Sequence, residues 1–126
     1  MRLFISRALV ATSVLLLAGT ASADNYREVW SCELEDDVEM EDVQAANSKW
    51  LAWVNKNVSE DISSAVLTAV VGGQEGFLFV DTYPSLKVWA AAKDALDTDE
   101  GEELGEVFEG LFECDENRLW KSEPTS

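Results

Sequence analysis

The chain has 126 residues, with 25 Asp or Glu against 9 Lys or Arg, no histidine and two cysteines, for a formal charge of −16. So negative a surface cannot hold a phosphate backbone by counterion release and is repelled by anionic lipid, which excludes nucleic acid as a partner. The missing histidine removes Ser-His-Asp and Cys-His nucleophile activation, histidine zinc sites and histidine haem ligation, and the 47% apolar content is that of a folded protein.

Residues 1–23 read as a Sec-type signal peptide. Arg2 and Arg7 give a positive start, and Ala8 to Ala18 form an apolar stretch too short for a bilayer core of about 30 Å. Ala21-Ser22-Ala23 is a small-x-small cleavage site, and no lipoprotein cysteine follows Leu17-Ala18-Gly19. Cleavage after Ala23 leaves residues 24–126 as one periplasmic or secreted domain without a membrane anchor. Its 7 basic residues against 25 acidic raise the charge to −18. A chain this short buries roughly two-thirds of its unfolded surface, so a covalent staple helps it. Cys32 and Cys114 are the only cysteines, and in an oxidising compartment they are expected to pair. No Cys-x-x-Cys points to redox catalysis.

Arg27 to Leu34 alternates and reads as a first strand. From Met40 to Asn57 the positions Met40, Val43, Ala46, Trp50 and Val54 recur at three and four residues, predicting an amphipathic helix with Glu39, Glu41 and Asp42 at its start and Lys56 at its end. Ile62 to Val71 predicts a second strand, Gly72 to Gly76 a hairpin connection, and Phe77 to Tyr83 a third strand. Pro84-Ser85 opens a helix to about Leu96 with Leu86, Trp89 and Ala92 on one face. A shorter helix is expected from about Glu102 to Glu113, and a last strand from near Asp115 to Lys121. The acidic residues are expected in connections and on helices, with the strands nearly free of them.

The order β-α-β-β-α-β is the ferredoxin-like, α+β plan: a four-stranded antiparallel sheet with helices on one face. In it the first and last strands are antiparallel neighbours, which brings Cys32 and Cys114 within disulfide reach. Val66-Leu67 with Val70-Val71, and Phe77 to Val80, are apolar on both parities. Such strands need cover on both faces, and a second copy would supply it, giving a homodimer through the open sheet face.

The element order, the split second helix and the passage Phe77-Leu78-Phe79-Val80-Asp81-Thr82-Tyr83-Pro84-Ser85-Leu86-Lys87-Val88-Trp89 resemble the dimeric α/β-barrel superfamily. A cysteine in the first strand and the Cys114-x-x-x-Arg118 spacing resemble its secreted, uncharacterised bacterial members. The resemblance covers nearly all of residues 26–121. It implies any of several activities: cofactor-free monooxygenase or cyclase, haem degradation, stress response or ligand binding. Haem degradation in many of these proteins uses a histidine ligand, which this chain lacks.

Asp81 follows four apolar residues on one strand and shares a parity with Phe77, Phe79 and Tyr83. Facing a pocket, it would be a general base with a raised pKa; at a strand end it would bond the turn. Asn47 and Trp50 share a helix face, and with Tyr83 and Trp89 they either line an aromatic pocket or fill the core. Trp53 is placed at the surface or in a dimer contact. Counted from Asp97, the acidic run puts Glu102 and Phe108 where a calcium loop wants Gly and Glu, so no metal is assigned. Asn57-Val58-Ser59 is a glycosylation triplet only in a eukaryotic secretory source. The leading expectation is a homodimer binding a small apolar or aromatic ligand or a partner. The alternatives are a cofactor-free monooxygenase-like or cyclase-like enzyme with Asp81 as base, and a structural or stress-related interaction protein.

Overall fold

Strand β1 (Asn25–Leu34) lies inside the sheet because it bonds on both sides, to β3 (Phe77–Tyr83) and to β4 (Phe112–Ser122). Strand β2 (Ser63–Thr68) completes an antiparallel sheet of order β2-β3-β1-β4, the ferredoxin-like arrangement. The computed structural model describes residues 25–73 and 75–126. The signal-peptide reading of residues 1–23 therefore lies outside the described residues. No helix among the described residues is long and apolar enough to cross a membrane.

Helix α1 (Met40–Asn57) buries Val43, Ala46, Asn47, Trp50 and Val54, the stripe that the three-and-four spacing requires. At its start the Glu39 backbone N–H donates to Asp42 Oδ2 at 3.2 Å. Helix α2 (Leu86–Leu96) begins at Ser85, whose hydroxyl accepts from the Val88 N–H at 3.1 Å. Helix α3 (Asp99–Gly105) begins at Thr98, whose hydroxyl accepts from the Gly101 N–H at 3.1 Å. Gly101 is buried, and a Cβ there would meet the backbone at Leu96, so glycine lets α3 start hard against the end of α2.

The inward row of β3 is Phe77, Phe79, Asp81 and Tyr83, all buried, alternating with half-buried Leu78, Val80 and Thr82. Two core clusters form over this row. Trp50, Val54, Ile62, Tyr83 and Ala92 make one. Cys32, Val43, Phe77 and Phe79 make the other, joined by half-buried Trp30, Phe108 and Phe112. The rings of Phe79 and Phe112 stand 5.0 Å apart, and those of Phe77 and Phe79 5.2 Å in an edge-to-face contact.

Cys32 and Cys114 are bonded. They face each other only because β4 bulges: Ser31 pairs with Glu116 but Cys32 pairs with Cys114, leaving Asp115 as the extra residue. In an unbroken register Cys32 would face Asp115.

Four expectations change. Strand β2 ends at Thr68, and Val70 and Val71 stand 94% and 90% exposed in the connection, so they belong to no strand face. Helix α3 starts at Asp99 because Thr98 caps it, and it ends at Gly105 in a 3-10 turn over Glu106–Phe108. The apolar Leu111 and Phe112 are therefore not helical, and β4 begins at Phe112. Finally, the strands are not nearly free of charge: β4 carries Glu113, Asp115, Glu116, Arg118 and Lys121, an edge whose charges oppose pairing with another chain.

The disulfide closes a sequence separation of 82 residues. Replacing both cysteines, Cys32→Ala with Cys114→Ala, is expected to lower the unfolding free energy by about 4–5 kcal/mol in urea titrations. A loss below about 1 kcal/mol would show that chain closure does not limit stability.

Candidate functional site

A cavity of about 260 Å³, partly open to solvent, lies between the helices and the inward face of the sheet. Its wall comes from every layer: Trp30 from β1, Asn47 and Trp50 from α1, Phe79 and Asp81 from β3, and Lys93 and Leu96 from α2. Phe108, Phe112 and Cys114 close the remaining side. Its volume lies just below the usual range of ligand sites, about 300–1,000 Å³, and its lining is chiefly aromatic with few polar groups.

The polar groups form two chains. In the first, Asn47 Nδ2 donates to Ser64 Oγ at 2.9 Å, and the Ser64 hydroxyl donates to Asp81 Oδ1 at 2.6 Å. Asp81 does not serve the turn that follows its strand. Burial pushes its pKa up from 3.8 to about 6; the Ser64 hydrogen bond and Lys93 pull it down, and the negative Glu28 pushes it further up.

The second chain centres on Glu28, which pairs across the strands with Asp81 and is 2% exposed. Its Oε1 meets Lys93 Nζ at 2.6 Å and accepts from Trp89 Nε1 at 3.3 Å. Its Oε2 accepts from Asn117 Nδ2 at 2.9 Å. Lys93 also lies over the rings of Trp30 and Trp89, 5.5 Å and 5.9 Å from their centres. A buried carboxylate survives in a sheet when its lone pairs are taken up in this way.

Of the expected site residues, Asp81, Asn47 and Trp50 come together in the cavity wall. Trp89 is not on the wall and instead holds Glu28. Tyr83 is wholly buried in the core beside Trp50, and its hydroxyl has no hydrogen-bond partner. Burial, with Asp81 and Glu28 nearby, raises its pKa far above the usual phenol value, so it stays neutral. Trp53 is half-buried and donates to Glu100 Oε1 at 2.7 Å, which ties α1 to α3.

Sequence reasoning missed Glu28, Ser64 and Lys93. Glu28 shares the inward parity of Trp30 and Cys32, the same sign that singled out Asp81, so its burial could have been found. Nothing local to Ser64 or Lys93 tells that they meet those two carboxylates, since the first contact depends on the register of β2 on β3 and the second on how α2 lies against the sheet.

No protein-family model matches the chain, and no curated protein matches it. Its fold recurs in solved structures. An uncharacterised NIPSNAP-like domain protein from Burkholderia xenovorans is 12% identical over 82% of this chain and 86% of its own, with a TM-score of 0.54. The protein At3g17210 from Arabidopsis thaliana is 15% identical over 81% and 96%, with a TM-score of 0.53. A conserved protein of unknown function from Bacteroides thetaiotaomicron, described as a possible oxidoreductase, is 14% identical over 80% and 99%, with a TM-score of 0.52. At these identities the likeness establishes the ferredoxin-like fold and nothing finer.

Asp81 binds a proton more tightly folded than unfolded. The cost of ionising it is therefore present in full above about pH 6 and vanishes below about pH 4. Asp81→Asn, which keeps an acceptor for Ser64, is expected to stabilise the fold at neutral pH by up to about 3 kcal/mol, with the gain gone near pH 4. Urea unfolding of both proteins at the two pH values checks it; a gain independent of pH would contradict the titration.

Proposed function

We propose that this is an exported homodimeric protein that binds a small apolar or aromatic molecule in the cavity between helices and sheet. The observation that carries the reading is Asp81: the one carboxylate in a wall half made of aromatic rings, where it would orient a ligand's polar group. Export is supported by the pairing of Cys32 with Cys114, since such bonds persist in oxidising compartments.

The dimer reading is supported by the sheet's second face. Across it run Val29, Val80 and Ala65 in one row and Leu78 and Leu67 in the next, with no acidic residue on its β2 and β3 rows in a chain of −16. Leu67 is 44% exposed, and Trp120, opposite Arg27 on the same face, is 54% exposed. A second copy laid sheet to sheet would cover this surface.

A second reading is favoured by one observation. The Asp81 pKa of about 6 lies close to neutrality, where a general base works best, so the cavity would suit cofactor-free proton abstraction from a bound substrate. In that case Asp81→Asn abolishes turnover while leaving binding in place.

Native mass spectrometry of the protein purified from its own host tests the leading reading in one measurement. A dimer carrying a small molecule is expected. Leu67→Glu with Val80→Glu should give monomer, and Leu96→Trp, which fills the cavity, should give dimer without the molecule. A monomer at micromolar concentration overturns the dimer, and no bound molecule in host-purified or small-aromatic-soaked protein overturns the ligand site.

A further inference from the structure

The charges around the cavity do not balance, and the imbalance identifies a class of ligand. Two carboxylates, Glu28 and Asp81, sit side by side on adjacent strands. The single cation on the cavity wall, Lys93, is engaged by Glu28 at 2.6 Å. Glu28 takes two further donors, from Trp89 and Asn117, whereas Asp81 takes one, the Ser64 hydroxyl. Asp81 is thus left as a buried carboxylate without a cation of its own.

The rest of the wall fits a positive guest. The rings of Trp30, Trp50, Phe79, Phe108 and Phe112 border the cavity, and the negative faces of aromatic rings attract ammonium groups. The Trp30 ring already carries one ammonium, that of Lys93, at 5.5 Å. The surrounding molecule, at −16, draws cations towards any opening and turns anions away.

We propose that the cavity takes a small organic cation, an amine or N-alkylated ammonium on an apolar or aromatic body, with its charge against Asp81 and its body among the rings. The proposal rests on the reading of the cavity as a ligand site and adds the sign of the ligand's charge. Binding then depends on pH through Asp81, which is faced by Glu28 from β1, Lys93 from α2, Ser64 from β2, Asn47 from α1 through Ser64, and the neutral Tyr83 phenol on its own strand. Protonation of Asp81 below about pH 6 removes the counter-charge, so affinity for the cation falls on acidification.

Three soluble probes of similar shape isolate the charge: phenethylamine, 2-phenylethanol and phenylacetate. Each is titrated into the full-length protein at physiological salt, following the tryptophan fluorescence, to which Trp30 and Trp50 contribute from the cavity wall. At neutral pH the amine is expected to bind about tenfold more tightly than the alcohol, and the acid most weakly. Asp81→Asn, or wild type at about pH 5, should bring the amine and the alcohol within about twofold of each other. Alcohol or acid binding as well as the amine overturns the cation proposal and leaves the ligand site standing, as does an amine preference that survives Asp81→Asn. No response to any of the three overturns both.

Discussion

A carboxylate in the middle of a sheet must find donors or lose its charge, and Glu28 finds three. Lys93 reaches it from α2, Trp89 from the same helix and Asn117 from β4. These bonds fix the height and rotation of α2 over the sheet, and they fix β4 against β1. Because Lys93 is spent on Glu28, the neighbouring Asp81 must rely on Ser64 of β2, itself held by Asn47 of α1. The placement of one buried acid thus sets the polarity of the cavity beside it. Such an ion pair is a weak source of stability, since desolvation offsets most of the attraction. Its effect is on arrangement: it leaves one orientation of α2 in which Glu28 is not buried alone.

The elements with strong periodicity are those that the sequence makes legible. Helix α1 runs from Met40 to Asn57 and β3 from Phe77 to Tyr83, as the spacing of Val43, Ala46, Trp50 and Val54 and the alternation of Phe77, Phe79 and Tyr83 require. The connections are less legible. Val70 and Val71 look like strand residues, but two glycines follow them and the chain leaves the sheet at Thr68. Around Phe108 to Phe112 the apolar residues keep a helical spacing, yet Glu109 turns extended, Gly110 takes a positive φ and Phe112 enters β4. There tertiary packing against Phe79 outweighs local pattern.

The site divides in the same way. Asp81, Asn47 and Trp50 were legible because each sits at an inward position of a regular element. The disulfide was legible from cysteine count and topology, but the bulge that makes it possible was not. A one-residue excess in β4 leaves no mark in composition or periodicity, and Asp115 resembles any other acidic residue of an exposed strand. Tyr83 and Trp89 were placed on the right side of the sheet and beside Trp50, but they fill the core there rather than the cavity wall. Parity tells which way a side chain points, while its partners depend on how the layers slide over each other.

The pairing of Asn25 with Ser122 has a mechanical consequence. Asn25 and Ser122 lie side by side, at the same end of the β1–β4 ladder. A force pulling them apart loads the ladder as a zipper, one pair at a time, which is its weakest direction. The peeling can run only from Asn25–Ser122 to Cys32–Cys114, where the covalent bond stops it. Beyond that stop lie α1, β2, β3 and the helices that wall the cavity, all within the closed loop. Tension on Asn25 and Ser122 would fray the outer ladder, Glu28 and its Asn117 contact included, while past the disulfide the backbone of the loop that carries Asn47, Trp50 and Asp81 is bypassed.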